Sequence, residues 1–331
     1  MPIQNDKLKE SFFSILGKRD AMPLDDFIEW ALYDPDIGYY QKNQERVGKD
    51  EKTDFYTSAS LSKPLWGKLL IESCISLLED RNPEDFSFVE IGAEPESSSL
   101  ANEEHPFKEI KTIRLGEELE IPPNAIVFSN EWLDAQPFKR FRFDEESKQW
   151  NEIGVRLESD NWTEQKLLKT ELTSEITKTF PIDYDVSYTI DWPTGAERIL
   201  KNLLRLNWDG LFLTFDYGLN FQRICFDFPD GTGRAYQNHK MNNNFLNAPG
   251  GQDITCHICW DTIQETLLEH RFTNINLLNQ ESFFMNHGSK VIKPIIENAG
   301  LNDELLGSLK ELIHPFHMGQ KFQVICGSRG I

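Results

Sequence analysis

The 331-residue sequence lacks several features that would assign it to a class of protein at once. It contains no uncharged apolar run of about 18 residues or more, so we expect no membrane span. Its amino-terminal segment has neither an apolar signal core nor an arginine-rich, acid-free character, which argues against secretion and organelle import. The five cysteines are odd in number and scattered, which favours a reducing compartment over a disulfide framework. We therefore expect a soluble, cytoplasmic protein.

Basic residues are scarce as well, with 34 Lys and Arg against 54 Asp and Glu and a net charge of -20. Such a surface repels phosphate backbones and anionic lipid, so nucleic acid is a poor partner. A basic protein substrate, or one presenting an arginine, fits this charge better. Hydrophobic residues make up 39% of the chain, enough for a sizeable core in one large domain or two.

Apolar periodicity predicts an α/β protein. Short helices are expected at 6–16, capped by Asn5 or Asp6, and from Pro23 onward, followed by an amphipathic helix at 64–79. The predicted strands are 86–91, 125–129, a hairpin through 138–158, 185–190, 210–215, a short strand in DITCHICW, 273–278 and 321–326. The later helices are expected at 197–206, 261–270 and 281–312. The segment 221–251 is rich in Asn, Gly and Pro, lacks periodicity and is predicted to be a long functional loop.

The stretch FSFVEIGAEPESSSL (86–100) opens like the first strand and nucleotide loop of a Rossmann-type domain. Glu90 and Gly92 stand where such a strand turns into its helix. The loop should continue with glycines, which allow positive φ and a close approach of the backbone to a ligand. This chain instead has Glu94 and Glu96 there. Between Gly92 and Ala125 the interval holds about one βαβ unit, so this half of the domain is shortened.

Polar residues that follow a predicted buried strand are the candidate catalytic groups. Asn130, Glu131 and Asp134 come directly after the strand 125–129, the usual place for such groups in an open α/β sheet. A guanidinium presents a planar fork of donors that two carboxylates accept, and Glu131 with Asp134 is the candidate pair. The alternative is that Asn130 and Asp134 cap a short helix while Glu131 is solvated.

Further polar residues are candidate binding groups. One set lies bunched in an aromatic loop and forms either a lid or a helix cap; its members are Asp54, Tyr56, Thr57 and Ser58. The second set ends a strand or lies in or after the long loop, where it either closes over a cleft or forms turns; its members are Asp216, Tyr217, Arg234, Tyr236, His239 and His257.

A metal site is not expected from the remaining candidates. Cys256 and Cys259 form a C-x-x-C pair, but residues i and i+3 of a strand point to opposite faces, and no second pair completes a zinc site. His314 and His317 lack a third ligand. We expect structural roles for all four.

The order and spacing of eight motifs resemble the MidA-like family of class I methyltransferases that depend on S-adenosylmethionine (SAM). The motifs are ALYDPDIGYY (31–40), TDFYTS (53–58), VEIG (89–92), SNEWLDAQP (129–137), DYG (216–218), GTGRAYQNH (231–239), PGGQDITCHI (249–258) and MGQKFQVI (318–325). The resemblance spans most of the chain. It implies a Rossmann-like fold in which a central, mostly parallel sheet is flanked by helices, with an amino-terminal helical extension and a helical insertion before the last strand.

The resemblance also implies a division of the chain and a function. We expect an amino-terminal helical or lid segment at 1–85, a Rossmann-like core at 86–280 and a helical insertion with a final strand at 281–331. Mitochondrial members of the family methylate an arginine and assist assembly of respiratory complex I. The implied partner is therefore a protein substrate or assembly partner, and a homodimer is left open.

The implied cofactor is SAM, held by Glu90 and Gly92 together with the set Asp54, Tyr56, Thr57 and Ser58. Glu94 and Glu96 would face the carboxylate of the cofactor, which costs on the order of several kcal/mol unless a proton or cation intervenes. The alternative function is therefore a non-catalytic pseudoenzyme that binds an assembly partner.

Overall fold

A computed structural model describes residues 2–42, 63–93, 98–100, 103–298 and 303–331. The chain divides into two compact units. The first unit consists of Met1–Glu45, Asp134–Arg198 and Leu219–Asp261. The second unit consists of Arg46–Leu133, Ile199–Gly218 and Thr262–Ile331.

The helices of the described residues follow the chain in this order: α1 (Pro2–Leu16), α2 (Leu24–Tyr33), α3 (Lys63–Leu78), α4 (Glu171–Thr177), α5 (Thr194–Leu204), α6 (Phe221–Phe226), α7 (Trp260–Glu269), α8 (Gln280–His287), α9 (Ser289–Asn298) and α10 (Glu304–Ile313). Single turns of 3-10 helix lie at Tyr39–Gln41 and Pro83–Asp85, and a kinked turn lies at Pro315–Gly319. None of these helices has the length and hydropathy needed to traverse a bilayer, as judged over the described ranges.

The strands are β1 (Met22–Pro23), β2 (Ser87–Ile91), β3 (Glu109–Ile113), β4 (Asn124–Asn130), β5 (Lys139–Asp144), β6 (Gln149–Glu158), β7 (Asn161–Lys166), β8 (Thr189–Trp192), β9 (Asp209–Asp216), β10 (Gly218–Leu219), β11 (Arg234–Gln237), β12 (Lys240–Asn242), β13 (Asp253–Thr255), β14 (Ile258–Cys259), β15 (Thr273–Asn279) and β16 (Gln323–Arg329).

The second unit is built on a mixed sheet with the strand order β15-β16-β9-β4-β2-β3. Strands β9, β4, β2 and β3 run parallel to one another. Strand β16 is antiparallel to both β9 and β15. Every residue of β2 is buried, because a parallel strand inside such a sheet is covered on both faces. The predicted α/β fold is confirmed in this form.

The strand order of this sheet reverses between β2 and β4. The chain leaves β2 for β3 on one side and then returns to place β4 on the other side. In open α/β sheets, ligands bind outside the carboxyl ends of the strands at such a switch point. The residues that follow β2 and β4 therefore border the predicted ligand crevice.

One face of the second unit's sheet is covered by apolar helices. Trp66 of α3 is fully buried, and its ring lies 5.0 Å from that of Phe215 and 5.6 Å from that of Phe284. Both pairs meet edge to face, the geometry that aromatic quadrupoles favour. Truncating such a buried tryptophan to alanine costs about 3–5 kcal/mol, so this cluster is a main source of stability for the sheet that carries the crevice.

The first unit contains antiparallel sheets. One has the order β1-β6-β5-β8 with β7 added to β6, and another has the order β12-β11-β13. A buried ion pair connects these parts, because the Arg140 guanidinium donates to both oxygens of Asp191 at 2.7 and 2.9 Å. Asp191 also accepts the backbone N–H of Gly233 at 2.8 Å. This carboxylate therefore ties β5 and β8 to the turn that precedes β11.

The structure corrects the sequence predictions at four places. Helix α1 begins at Pro2, before the predicted caps, and β8 begins at Thr189 where a strand was expected from 185. Strand β7 was not predicted, because NWTEQK is a largely exposed edge strand without an apolar face. The segment 221–251 is not an irregular loop, since it contains α6 and the hairpin of β11 and β12. That hairpin is largely exposed, so it has no apolar pattern to detect.

Candidate functional site

Three neighbouring parallel strands of the second unit end at the same edge of the sheet. Gly92 follows β2, Asn130 is the last residue of β4, and Asp216 is the last residue of β9. The strand register pairs Ile91 with Ser129 and Ser129 with Thr214, so the strands terminate side by side. The predicted motifs VEIG, NEWLD and DYG therefore meet at the switch point.

Gly92 opens the crevice and packs against an aromatic side chain. Its φ is +77°, a backbone conformation that favours glycine. A β-carbon on Gly92 would lie 3.0 Å from Cδ1 of Trp132. The backbone of Gly92 therefore lies directly against the indole, and any other residue at this position would place its side chain against that ring.

The turn after β4 is held in a strained conformation. Glu131 has a φ of +51°, which is uncommon for a residue other than glycine and costs of order 1–3 kcal/mol. Its backbone N–H donates to the carbonyl of Phe215 at 2.9 Å, and the N–H of Leu133 donates to Oδ2 of Asp216 at 2.9 Å. Asp216 is fully buried and also accepts the N–H of Tyr217 at 2.8 Å. Asp216 therefore fixes the turn that presents Asn130, Glu131 and Trp132.

Asn130 presents an acceptor at the end of β4. Its Nδ2 donates to Oε1 of Glu131 at 3.0 Å, and because an ionised carboxylate can only accept, this contact fixes the orientation of the amide. The other amide atom, Oδ1, is buried and has no hydrogen-bond partner among the residues that the structure describes. Buried acceptors are almost always paired in native proteins, so Oδ1 is suited to receive a donor from a ligand.

Glu90 holds the chain that follows the cofactor loop. Its carboxylate accepts the backbone N–H of Ser99 at 2.8 Å and the Ser99 hydroxyl at 2.7 Å. Burial raises the pKa of Glu90 above its ordinary value, and the hydrogen bonds from Ser99 and Ser98 partly offset that effect. Glu90 therefore fixes Ser99 relative to the end of β2.

Several predicted residues lie outside the described part of the chain. They are Glu94 and Glu96 of the cofactor loop and the set Asp54, Tyr56, Thr57 and Ser58.

The other predicted residues belong to the first unit. Asp134 is buried, and its backbone carbonyl accepts the N–H of Cys256 at 2.9 Å. Tyr236 lies in β11 opposite Asp253 of β13, and His239 occupies the tight turn between β11 and β12 with a φ of +57°. Arg234 begins β11 and His257 follows β13.

The first unit also contains a pair of half-buried tyrosines, Tyr33 and Tyr40, which belong to the motif ALYDPDIGYY. The Tyr33 and Tyr40 rings stack with centroids 5.4 Å apart. The Tyr40 hydroxyl donates to Asp253 at 2.7 Å, and the Tyr33 hydroxyl donates to the carbonyl of Ala135 at 2.8 Å. Burial raises the pKa of Tyr33 well above its ordinary value, and the charges of Asp253, Glu29 and Asp134 raise it further. The sequence signal for Tyr33 and Tyr40 is their position within the motif YDPDIGYY.

Metal ligation has no visible basis in the described ranges. No three His, Cys, Asp or Glu side chains there are grouped so that they could hold an ion. Cys256 and Cys259 are both buried.

The crevice residues fit an adenosyl cofactor. Gly92 follows β2 at the switch point, the place where ligands approach the strand ends in this fold, and Trp132, packed against it, supplies an apolar wall. Oδ1 of Asn130 supplies an unpaired acceptor for a hydroxyl or ammonium donor. These are the kinds of group that a dinucleotide or nucleoside site in this fold requires.

Comparisons with known proteins agree with this chemistry. Residues 93–276, more than half of the chain, match a family model described as "Putative S-adenosyl-L-methionine-dependent methyltransferase". A crystal structure of a methyltransferase candidate from Burkholderia thailandensis, bound to S-adenosyl-homocysteine, is 21% identical with a TM-score of 0.85, and the match covers 99% of this chain and 93% of that one. The native crystal structure of an uncharacterized protein of the same superfamily and organism is 20% identical with a TM-score of 0.82 and the same coverage.

These matches confirm the methyltransferase class and the SAM cofactor that the motifs implied. The two crystal structures support the fold, because at such identities a structural likeness is informative about architecture. The chain belongs to this family of S-adenosyl-L-methionine-dependent methyltransferases.

Proposed function

We propose that this protein transfers a methyl group from SAM to a side-chain nitrogen of a protein substrate, with arginine as the acceptor. The observation that carries the proposal is the buried Oδ1 of Asn130, an oriented and unpaired acceptor at the switch point of the sheet. In this proposal the second unit has the Rossmann-like class I arrangement, and the crevice between β2 and β4 holds the cofactor.

The cofactor side of the proposed site consists of groups already fitted to one another. Gly92 admits the ligand to the backbone, Trp132 forms an apolar wall, and Glu90 fixes Ser99 beside the end of β2. When bound, SAM supplies an electrophilic methyl group and leaves as a neutral thioether. The chain's contribution on this side is to orient the ligand and to exclude water from it.

The acceptor side requires a group that aligns an N–H and a group that takes a proton. We assign alignment to Oδ1 of Asn130, which can accept a hydrogen bond from the nitrogen that attacks the methyl carbon. We assign the proton to Glu131, whose carboxylate contacts the same amide at 3.0 Å. Asp134 belongs to the first unit and has no part in this assignment.

Arginine as the acceptor rests on charge and on the resemblance. A guanidinium presents several donors that the carboxylate of Glu131 can accept, and the net charge of -20 attracts basic segments of a substrate. The resemblance to MidA-like proteins adds a role in the assembly of a respiratory complex. The substrate is then a basic or arginine-presenting segment of an assembly partner.

The proposal is tested by transfer of radiolabelled methyl groups from SAM to matched peptides that differ only in carrying arginine or lysine. We expect label on the arginine peptide, and loss of at least about 100-fold in rate for Asn130→Ala. Asn276→Ala, at an exposed position of β15 in the same unit, is the matched control and should leave the rate unchanged. Transfer to lysine alone would refute arginine as the acceptor. A chain that binds the partner but labels no substrate would refute catalysis and leave the pseudoenzyme.

A further inference from the structure

Arg234 is anchored in an unusual way for a cation in such an acidic chain. One terminal nitrogen, Nη1, donates to the carbonyls of Gly231 at 3.1 Å and Gly233 at 2.7 Å. The side chain is half-buried, and among the residues that the structure describes no carboxylate pairs with it. Nε and Nη2 likewise have no acceptor in those ranges. The guanidinium is therefore held rigidly by one nitrogen while its other edge is unused.

His257 belongs to the same unit and is near enough to Arg234 for the positive charge of the guanidinium to act on its imidazole. Strands β11 and β13 pair so that Arg234 is opposite Thr255, two residues before His257. Nδ1 of His257 is buried and has no hydrogen-bond partner in the described part of the chain. The ring packs edge-on against Phe228, with centroids 5.8 Å apart. Nδ1 of His257 and the Nε and Nη2 edge of Arg234 are therefore both without a hydrogen-bond partner among the described residues.

The charge at this place is positive and uncompensated. Burial, together with the positive charges of Arg234 and Arg223, lowers the pKa of His257 to about 4, so the imidazole is neutral at pH 7. Arg223 is already neutralised, because its Nε lies 2.9 Å from the carboxylate of Asp227 on an exposed helix. Arg234 is therefore the cation that lacks a counter-charge, and an anion bound there would relieve the unfavourable burial.

We propose that Arg234 and His257 form a binding site for a carboxylate. The Nε and Nη2 edge of a guanidinium matches the two oxygens of a carboxylate in a bidentate pair, which is among the strongest charged hydrogen-bond arrangements. A neutral imidazole with its proton on Nδ1 contributes one more donor. The carboxylate comes either from an acidic side chain of a polypeptide or from a small free acid. This site is independent of the proposed methyl transfer.

The competing explanation is that Arg234 only stabilises the turn of GTGR. A structural arginine of that kind would gain nothing from added carboxylate. The two explanations therefore differ in whether the folded chain responds to a carboxylate at constant ionic strength.

The test is the melting temperature of the full chain in acetate against chloride of equal ionic strength. Acetate should stabilise the native chain in a saturable way, because a ligand that binds only the folded state raises its stability. Arg234→Gln should abolish this response, whereas Arg223→Gln, which removes the neighbouring paired arginine, should retain it. No acetate-specific response in the native chain, or the same response in Arg234→Gln, would overturn the proposal.

A second measurement keeps the test valid if Arg234→Gln folds poorly, and it separates the two sources. A fluorescent glutamate-rich peptide is titrated into the native chain and into Arg234→Lys, which keeps the charge but loses the planar fork. Acetate-sensitive binding that weakens about tenfold in Arg234→Lys supports a polypeptide carboxylate. Acetate stabilisation that Arg234→Lys loses, without peptide binding, supports a free acid. An Arg234→Lys chain that responds to both ligands like the native chain would overturn the proposal.

Discussion

The indole of Trp132 lies against Gly92, so closely that a β-carbon on Gly92 would be only 3.0 Å from its Cδ1 atom. The glycine follows β2 and the tryptophan follows β4, the two strands between which the sheet order reverses. The two ends are thus fitted to each other before any ligand arrives. This contact brings together residues of the motifs VEIG and NEWLD and defines one wall of the proposed cofactor crevice.

Replacing Gly92 with alanine should lower stability. At a φ of +77° a side chain is strained by about 1 kcal/mol, and the contact with Trp132 adds to that cost. Urea unfolding measures the change. Gly307→Ala is the matched control, because Gly307 lies inside α10 with nothing within 4 Å of an added β-carbon. That control should stabilise the chain by about 0.5–1 kcal/mol, and equal effects at both positions would contradict the packing described.

Glu90 should make stability depend on pH. Because burial raises its pKa above the ordinary value of 4.5, the folded state binds the proton more tightly than the unfolded state does. The stabilising contribution of the protonated form is complete below 4.5 and is lost as the pH rises through the raised pKa. The native chain should therefore lose stability relative to Glu90→Gln across that window, as measured by urea unfolding at a series of pH values. A difference that stays constant with pH would contradict this.

Glu131→Gln should impair catalysis more than cofactor binding. The substitution preserves size but allows the Asn130 amide to turn over, and it removes the carboxylate that we propose takes the proton. We expect kcat to fall by about 100-fold or more while the SAM dissociation constant changes little. Steady-state kinetics and calorimetry on the same sample separate the two effects. A loss confined to SAM affinity would instead place Glu131 on the cofactor side.

The buried pair of Arg140 and Asp191 should be essential for the first unit. Asp191→Ala leaves Nε and Nη2 of the buried Arg140 without their acceptors, although Nη1 still pairs with Glu164, and it also removes the acceptor for Gly233. The free energy of unfolding should therefore fall by about 3–5 kcal/mol. Denaturant unfolding provides the measurement. The ion pair of Lys9 with the exposed Asp160 is the control, and Asp160→Asn, which suits the positive φ of that position, should cost no more than about 1 kcal/mol. Similar losses for the two variants would argue against the buried pair.

Much of the second unit could be predicted from the sequence, because its central strands β2, β4 and β9 are almost wholly buried. β2, β4 and β9 appear as short apolar runs, and the polar residues Asn130 and Asp216 follow them directly. The site at the strand ends was therefore predictable from local pattern and chain order. Its membership of a methyltransferase family came from the combined spacing of the motifs.

Contacts between residues distant in sequence could not be predicted in the same way. Nothing local in the sequence indicates that Asp216 accepts the N–H of Leu133, or that Trp132 lies against Gly92. The positive φ of Glu131 depends on those contacts and is invisible in its residue type. Exposed strands such as β7 and β12 were missed because they lack the apolar alternation that marks a half-buried strand.

Binding of the cofactor in the crevice is tested most directly by calorimetric titration of SAM into the folded full chain and into Gly92→Ala. If the crevice between β2 and β4 holds the cofactor, the native chain should give a saturable binding heat. Gly92→Ala, still folded by circular dichroism, should bind at least about tenfold more weakly because its new methyl group occupies the space beside Trp132. No binding heat at millimolar SAM, or equal affinity in the two proteins, would contradict the account.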